Sequence, residues 1–249
     1  MTDSARQETY DRLHRDAELR FPLEDYSRFV DWLAVPDRGR GFTLVDIACG
    51  QGFFLAEAAR LLPGLTLHGV DFSSVALEKA RSRAPSAAWH QAAAEQLPLP
   101  DASADYCVNL GSLEHFADPI AALADMRRVM RPSAKAMVIV PNAYYLGTVW
   151  RVMTYGDADD QGQQDVTEFR TINAWSAMIA RSGFDITGIR GYNGEHHIAW
   201  HFHRPDGQIT DRERQWRSAL NTFVKPLIPL NLSQCFVFFL RRQPEPVSS

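Results

Sequence analysis

The stretch Val45-Asp46-Ile47-Ala48-Cys49-Gly50-Gln51-Gly52-Phe53-Phe54-Leu55 decides how the whole chain is read. The hydrophobic run Phe42 to Ala48 predicts a strand. The residues after it lack bulky side chains, and a helix is expected at once, from Gly52 to Leu62, with Pro63-Gly64 ending it. Small residues at Ala48, Gly50 and Gly52 would let a ligand lie directly against backbone, and glycine tolerates the positive φ such a turn needs. The unpaired N–H groups at the start of the helix would then face that ligand. A strand, a glycine loop and a helix in this order open a doubly wound α/β fold, whose ligands bind beyond the carboxyl ends of the strands.

Charge narrows the ligand. A dinucleotide site asks for Gly-x-Gly-x-x-Gly, with the last glycine letting helix and strand pack closely. Here that position is Leu55. Asp46 puts an anion where a pyrophosphate would be repelled, and the loop has no Lys or Arg to offset it. An adenosyl ligand with a sulfonium and an amino group would instead be attracted. Asp71 closes the second predicted strand, Leu65 to Asp71, where it would accept hydrogen bonds from a ribose diol. Gly-x-Gly alone is a weak signal, but Asp46-x-Ala48-Cys49-Gly50-x-Gly52 followed by an acid at the next strand end is a specific one.

With those residues in view, the sequence resembles the class I S-adenosylmethionine-dependent methyltransferases. Three further stretches carry the resemblance. Ala94 to Asp105 is similar to the adenine-side loop before the fourth strand, Leu110 to Pro119 to the segment that closes under the methyl donor, and Met126 to Pro132 to the helix before the fifth strand. The likeness is close from about 43 to 142 and loose elsewhere. It implies a mostly parallel seven-stranded sheet with the last strand antiparallel, flanked by N-terminal helices and inserted cap segments, and S-adenosyl-L-methionine as cofactor. The residues implied at the cofactor are Asp46, Ala48, Gly50, Gly52, Asp71, Phe72, Ala94, Glu95, Leu110 and Gly111. Phe72 would stack on adenine or else be plain core. Ala93 stands where the family often has an Asp that accepts from the adenine amino group, so that recognition falls to the backbone of Ala94 and the carboxylate of Glu95. Ser133-Ala134-Lys135 replaces a Gly-Gly turn before the fifth strand, and Phe53 replaces a third glycine of the loop.

The 249 residues are 45% hydrophobic and 22% charged, which suits one α/β domain with embellishments. A formal net charge of -4 gives no global field to recruit nucleic acid. Cys49, Cys107 and Cys235 are an odd number without C-x-x-C spacing, and two of them fall in predicted strands or the cofactor turn, which reads as reduced and buried. No uncharged apolar run approaches the ~18 residues of a membrane span, and the N-terminus has no apolar segment of the signal-peptide kind. The expectation is a soluble, cytoplasmic protein of undetermined oligomeric state.

Along the chain, residues 1–41 read as a helical cap with helical spacing at Tyr26 to Leu33. Ser73 or Ser74 would cap a helix from Val75 to Ala84. Ala87 to Ala93 and Tyr106 to Leu110 are the third and fourth strands, Asp118-Pro119 starts a helix, and Ala136 to Val140 is a buried central strand. Asn173 to Arg181 is a helix, Phe184 to Gly191 a strand, and Cys235 to Leu240 the terminal strand. Segments 143–166 and 194–230 are expected as insertions on the acceptor side, the first carrying the polar run Gly156 to Gln164.

Glu114-His115 follows the fourth strand, close to where a methyl group would be transferred. His115 is read either as a general base for a substrate hydroxyl, since histidine titrates near neutrality, or as part of a helix-start pair that holds the loop. The run Glu195 to His203 holds four histidines, with His197 and His201 at helical spacing, but no cysteine or firmly placed carboxylate completes a set, so no metal site is expected. The function expected is methyl transfer to a small or medium acceptor, preferably an oxygen of a sugar, glycolipid precursor or secondary metabolite. A non-catalytic cofactor-binding subunit and, less favoured by Leu55 and Asp46, a nicotinamide-dependent oxidoreductase are the alternatives.

Overall fold

Seven strands carry the hydrophobic runs read above. In the computed structural model, which describes residues 3–18, 21–156, 169–194 and 227–244 (backbone only at 3–6, 151 and 155), they are β1 Thr43–Ile47, β2 Thr66–Asp71, β3 Ala88–Gln91, β4 Ala104–Leu110, β5 Met130–Pro141, β6 Phe184–Tyr192 and β7 Cys235–Arg242. They form one sheet in the order β3-β2-β1-β4-β5-β7-β6. Pairs from β3 through β5 are parallel, and β7 enters antiparallel between β5 and β6. The expected mostly parallel seven-stranded sheet with an antiparallel last strand is therefore the observed one.

Alternation along the strands splits the core in two. Val45, Ile47, Cys107, Val138 and Val140 face one side, where Leu123 and Met126 of α5 (Pro119–Val129) and Trp175 and Ile179 of α7 (Ile172–Arg181) cover them. Leu44, Tyr106, Val108, Met137 and Ile139 face the other side. There they meet Phe29 and Val30 of α2 (Leu23–Trp32), Phe54, Leu55 and Ala58 of α3 (Phe53–Leu61), and Leu77 of α4 (Ser74–Arg83). Leu55 is fully buried. The bulk that breaks the dinucleotide pattern is thus a core side chain.

Helix starts follow the capping chemistry. The Ser73 hydroxyl accepts from the Ala76 N–H at 3.1 Å, and Asp118 accepts from Ile120 and Ala121 at 3.0 and 2.9 Å ahead of Pro119. Two elements depart from the sequence reading. β5 begins at Met130 rather than Ala136: Ala104 pairs with Met130 and Tyr106 with Lys135, so Arg131 to Ala134 bulge opposite Asp105. Asp105 accepts there from Arg131 and, across the sheet, from the Thr43 N–H of β1 at 2.8 Å. A further helix, α6 (Leu146–Tyr155), lies in the segment read only as an insertion. Its N-cap, Tyr145, makes no side-chain cap bond, so the usual start signal is missing. The polar run from 157 to 164 and the histidines from 196 to 203 lie outside the described residues.

His68 on β2 and His90 on the edge strand β3 stack at 5.3 Å and share one N–N hydrogen bond of 3.0 Å. Burial lowers the pKa of each, with His90 adding to the effect on His68, and burial likewise lowers that of His14. A base with a lowered folded-state pKa takes up more protons unfolded than folded, so stability is lost as pH falls below 6.5, the unfolded value. Thermal melts from pH 7.5 to 5 are expected to show a falling Tm below that point, with a shallower fall in His68→Gln; parallel slopes would remove this pair from the acid response.

Candidate functional site

The carboxyl ends of β1, β2 and β4 open onto a cavity of about 850 Å³. The loop after β1 is bent through three left-handed positions, Ala48 (φ 58°), Gly50 (φ 51°) and Gly52 (φ 75°). Asp71 grips it from the neighbouring strand: one carboxylate oxygen accepts from the Gly50 N–H at 2.7 Å and the other from the Ser73 N–H at 2.8 Å. A single acid thus fixes the glycine loop and the start of α4 together.

Asp46 and Asp71 are 2% and 9% exposed and both line the cavity. Burial pushes the Asp46 carboxyl well up, and the nearby Asp71 charge pushes it further. Burial also raises Asp71, opposed by its bonds to Ser73 and Gly50 and by the charge of His14. No Lys or Arg is on the cavity wall among the described residues. Two buried acids pushed toward neutrality by desolvation, with no Lys or Arg on the described cavity wall, constitute a site that favours a cationic ligand.

Nine of the ten expected cofactor residues, together with His115, line this one cavity: Asp46, Ala48 and Gly50 at the loop, Asp71 and Phe72 beyond β2, Ala94 and Glu95 after β3, and Leu110 and Gly111 at the end of β4. Gly52 is placed differently. A Cβ there would stand 2.8 Å from the Trp89 ring and 2.9 Å from Ala80 Cβ, so its missing side chain lets α3 pack on α4 and β3. Glu95 accepts from the Asp118 N–H at 3.3 Å and ties the loop after β3 to the start of α5. Gly111, at φ 70°, faces Phe21, whose ring lies 3.2 Å from where a Cβ would stand.

The sequence reading missed how α1 (Asp3–Asp16) closes the site. Tyr10, His14 and Glu18 line the cavity. The Gln51 amide donates to the Ala17 carbonyl at 2.8 Å and to the His14 carbonyl at 3.4 Å, and Lys79 donates to that same carbonyl. Asp11 returns the favour by accepting from the Ser73 hydroxyl at 2.5 Å and the Val75 N–H at 3.4 Å at the start of α4. These bonds satisfy carbonyls at the end of α1 and donors at the start of α4. No local pattern announces them, because each joins residues more than thirty positions apart.

Comparison with known proteins places this arrangement. Residues 45–138 match the family model described as a methyltransferase domain. A probable S-adenosylmethionine-dependent methyltransferase of Mycolicibacterium smegmatis is 32% identical over 108 residues, 42% of this chain and 40% of that protein. A 2-phytyl-1,4-naphtoquinone methyltransferase of Trichormus variabilis is 35% identical over 107 residues, 40% of this chain and 46% of its own. The chain therefore spans less than half the length of these relatives. An S-adenosylmethionine-dependent methyltransferase from Mesorhizobium loti has the same fold, with a TM-score of 0.61, 18% identity, and coverage of 89% of this chain and all of that one. Residues 45–138 are thus similar to methyltransferase domains, and the chain shares the fold of a solved S-adenosylmethionine-dependent methyltransferase.

Proposed function

We propose that this chain transfers a methyl group from S-adenosyl-L-methionine to an oxygen of a small or medium-sized secondary metabolite. One observation carries the reading: the cavity wall holds Asp46 and Asp71 buried beside a glycine loop, with no Lys or Arg among its described residues. When bound, S-adenosylmethionine supplies an electrophilic methyl group on a positively charged sulfur. Asp46 offers charge to the cationic end, Asp71 retains lone pairs for a ribose diol, and Gly50 leaves room for the ligand against backbone. Phe72, Ala94 and Glu95 form the adenine side. His115, beyond the end of β4, takes the proton of the acceptor hydroxyl. The aromatic wall of Tyr10, Phe21, Tyr26 and Phe53 favours an acceptor with a flat or apolar body over a bare sugar. The naphthoquinone named for one relative is an acceptor of that kind.

Because burial and the Asp71 charge raise Asp46, a bound cation favours its ionised form and displaces its proton. Affinity for S-adenosylmethionine is therefore expected to rise with pH until the apo carboxyl is already ionised. Calorimetry in buffers of different ionisation enthalpy should register proton release, and NAD should give no binding heat. Uptake of NAD, or affinity for S-adenosylmethionine independent of pH with no proton released, would remove the basis for a cation-selecting site.

A further inference from the structure

Glu114 lies beside His115 in the short 3-10 turn Leu113–His115 after β4, yet only His115 reaches the cavity. The Glu114 side chain is turned into the protein and is buried. Its Oε1 lies 3.9 Å from His115 Nε2 and 4.0 Å from where a Cβ on Gly111 would stand. Its Oε2 has no hydrogen-bond partner among the described residues. The titratable groups facing it are His115 on its own turn and Cys235 at the start of β7, whose thiol it helps push up. β5 and α5 also pack against the turn, and no charged side chain from them offsets its burial.

An ionised carboxylate with an unpartnered oxygen in so dry a place is strongly disfavoured, and burial pushes the Glu114 carboxyl up to about 8. The consequence falls on its neighbour. A carboxylate at this distance would favour the imidazolium form of His115, which has no lone pair to accept a proton. A neutral carboxyl exerts no such pull.

We propose that Glu114 is the positioning residue for His115: held protonated behind the imidazole, it keeps His115 uncharged and able to accept the proton of the acceptor. The inference rests on the proposed role of His115 in methyl transfer. In that step the acceptor proton passes to the His115 ring, and the O–H pair stays on oxygen and forms the bond to the methyl carbon. The C–S pair returns to sulfur, and Glu114 neither gains nor loses a proton. Above the point where Glu114 ionises, the balance changes and His115 is drawn toward its charged form.

The test is the titration of His115 itself, followed by NMR in the ¹⁵N-histidine-labelled full chain, with the resonance assigned by its absence in His115→Ala. The wild type is expected to show the histidine step and a second inflection close to pH 8, where Glu114 ionises. Glu114→Gln, which mimics the neutral acid, should keep the first step in place and lose the second. Its turnover should also lose the change near pH 8. A downward shift of the histidine step in Glu114→Gln would mean that Glu114 is ionised at neutral pH and would overturn the proposal. Identical titrations in both proteins would overturn it too. The wild-type curve needs no variant to fold, and none of the NMR readings needs turnover. Full activity in His115→Ala would instead defeat the base assignment while the titration still reported whether the two groups are coupled.

Discussion

Replacing His115 by alanine is expected to cut turnover by about 10²–10⁴, the usual contribution of a positioned general base. Cofactor affinity should stay where it is, because the groups assigned to the cofactor's charge and ribose, Asp46 and Asp71, stand on β1 and β2 rather than on the turn after β4. The wild-type rate should rise with pH through a histidine step, and the variant should lack that limb. His115 lines the cavity with a side chain 11% exposed, so it is open to the cavity while largely shielded from bulk water. Steady-state rates with an aromatic hydroxyl acceptor, alongside calorimetry with S-adenosylhomocysteine, check both halves. A loss of only a few-fold, or a loss of rate that tracks a loss of cofactor binding, would make His115 structural. Catalysis would then rest on bringing two reactants together, which by itself accounts for a large part of such barriers.

What could be read from the sequence was what is local in the chain. The Asp46 to Gly52 loop, the acid at the end of β2 and the Asp118-Pro119 helix start each lie within a few consecutive residues, and their chemistry does not depend on distant partners. The alternating strands were legible because burial on both faces leaves near-continuous apolar runs such as Ala136 to Val140. What was not legible depends on contacts across the fold. Gly52 has the same sequence signature as Gly50, but only the positions of Trp89 and Ala80 show that its space is taken by protein. The β5 bulge lies opposite Asp105 on the neighbouring strand, which bonds Arg131 within it. The docking of α1 rests on Gln51, Lys79 and Ser73, none of which the polar sequence of α1 can indicate. Glu114 and His115 were read together as neighbours, but only His115 reaches the cavity, while Glu114 is buried beside it at 3.9 Å.

The other large effect is expected at Asp71. Both of its oxygens already accept backbone N–H bonds, from Gly50 at 2.7 Å and Ser73 at 2.8 Å, so a ribose diol would have to use the remaining lone pairs. Asp71→Asn keeps the size but sets an NH₂ against one of those N–H donors. An unmade buried bond of this kind costs about 1–3 kcal/mol, and cofactor affinity should fall by a corresponding factor of about 5–150. Affinity loss alone would not separate a residue that holds the ribose from one that only shapes the loop. Removing the diol from the ligand does. In the wild type, the 2′,3′-dideoxy analogue of S-adenosylhomocysteine should bind more weakly than the parent. In Asp71→Asn the gap between the two ligands should shrink, since only one of the two acceptor oxygens remains. A second readout comes from Asp46, whose carboxyl is raised partly by the charge of Asp71. Without that charge Asp46 ionises more readily, and proton release on binding S-adenosylmethionine should shrink. If the variant still discriminates fully between the two analogues, the diol is held elsewhere and Asp71 serves only to clamp Gly50 and Ser73.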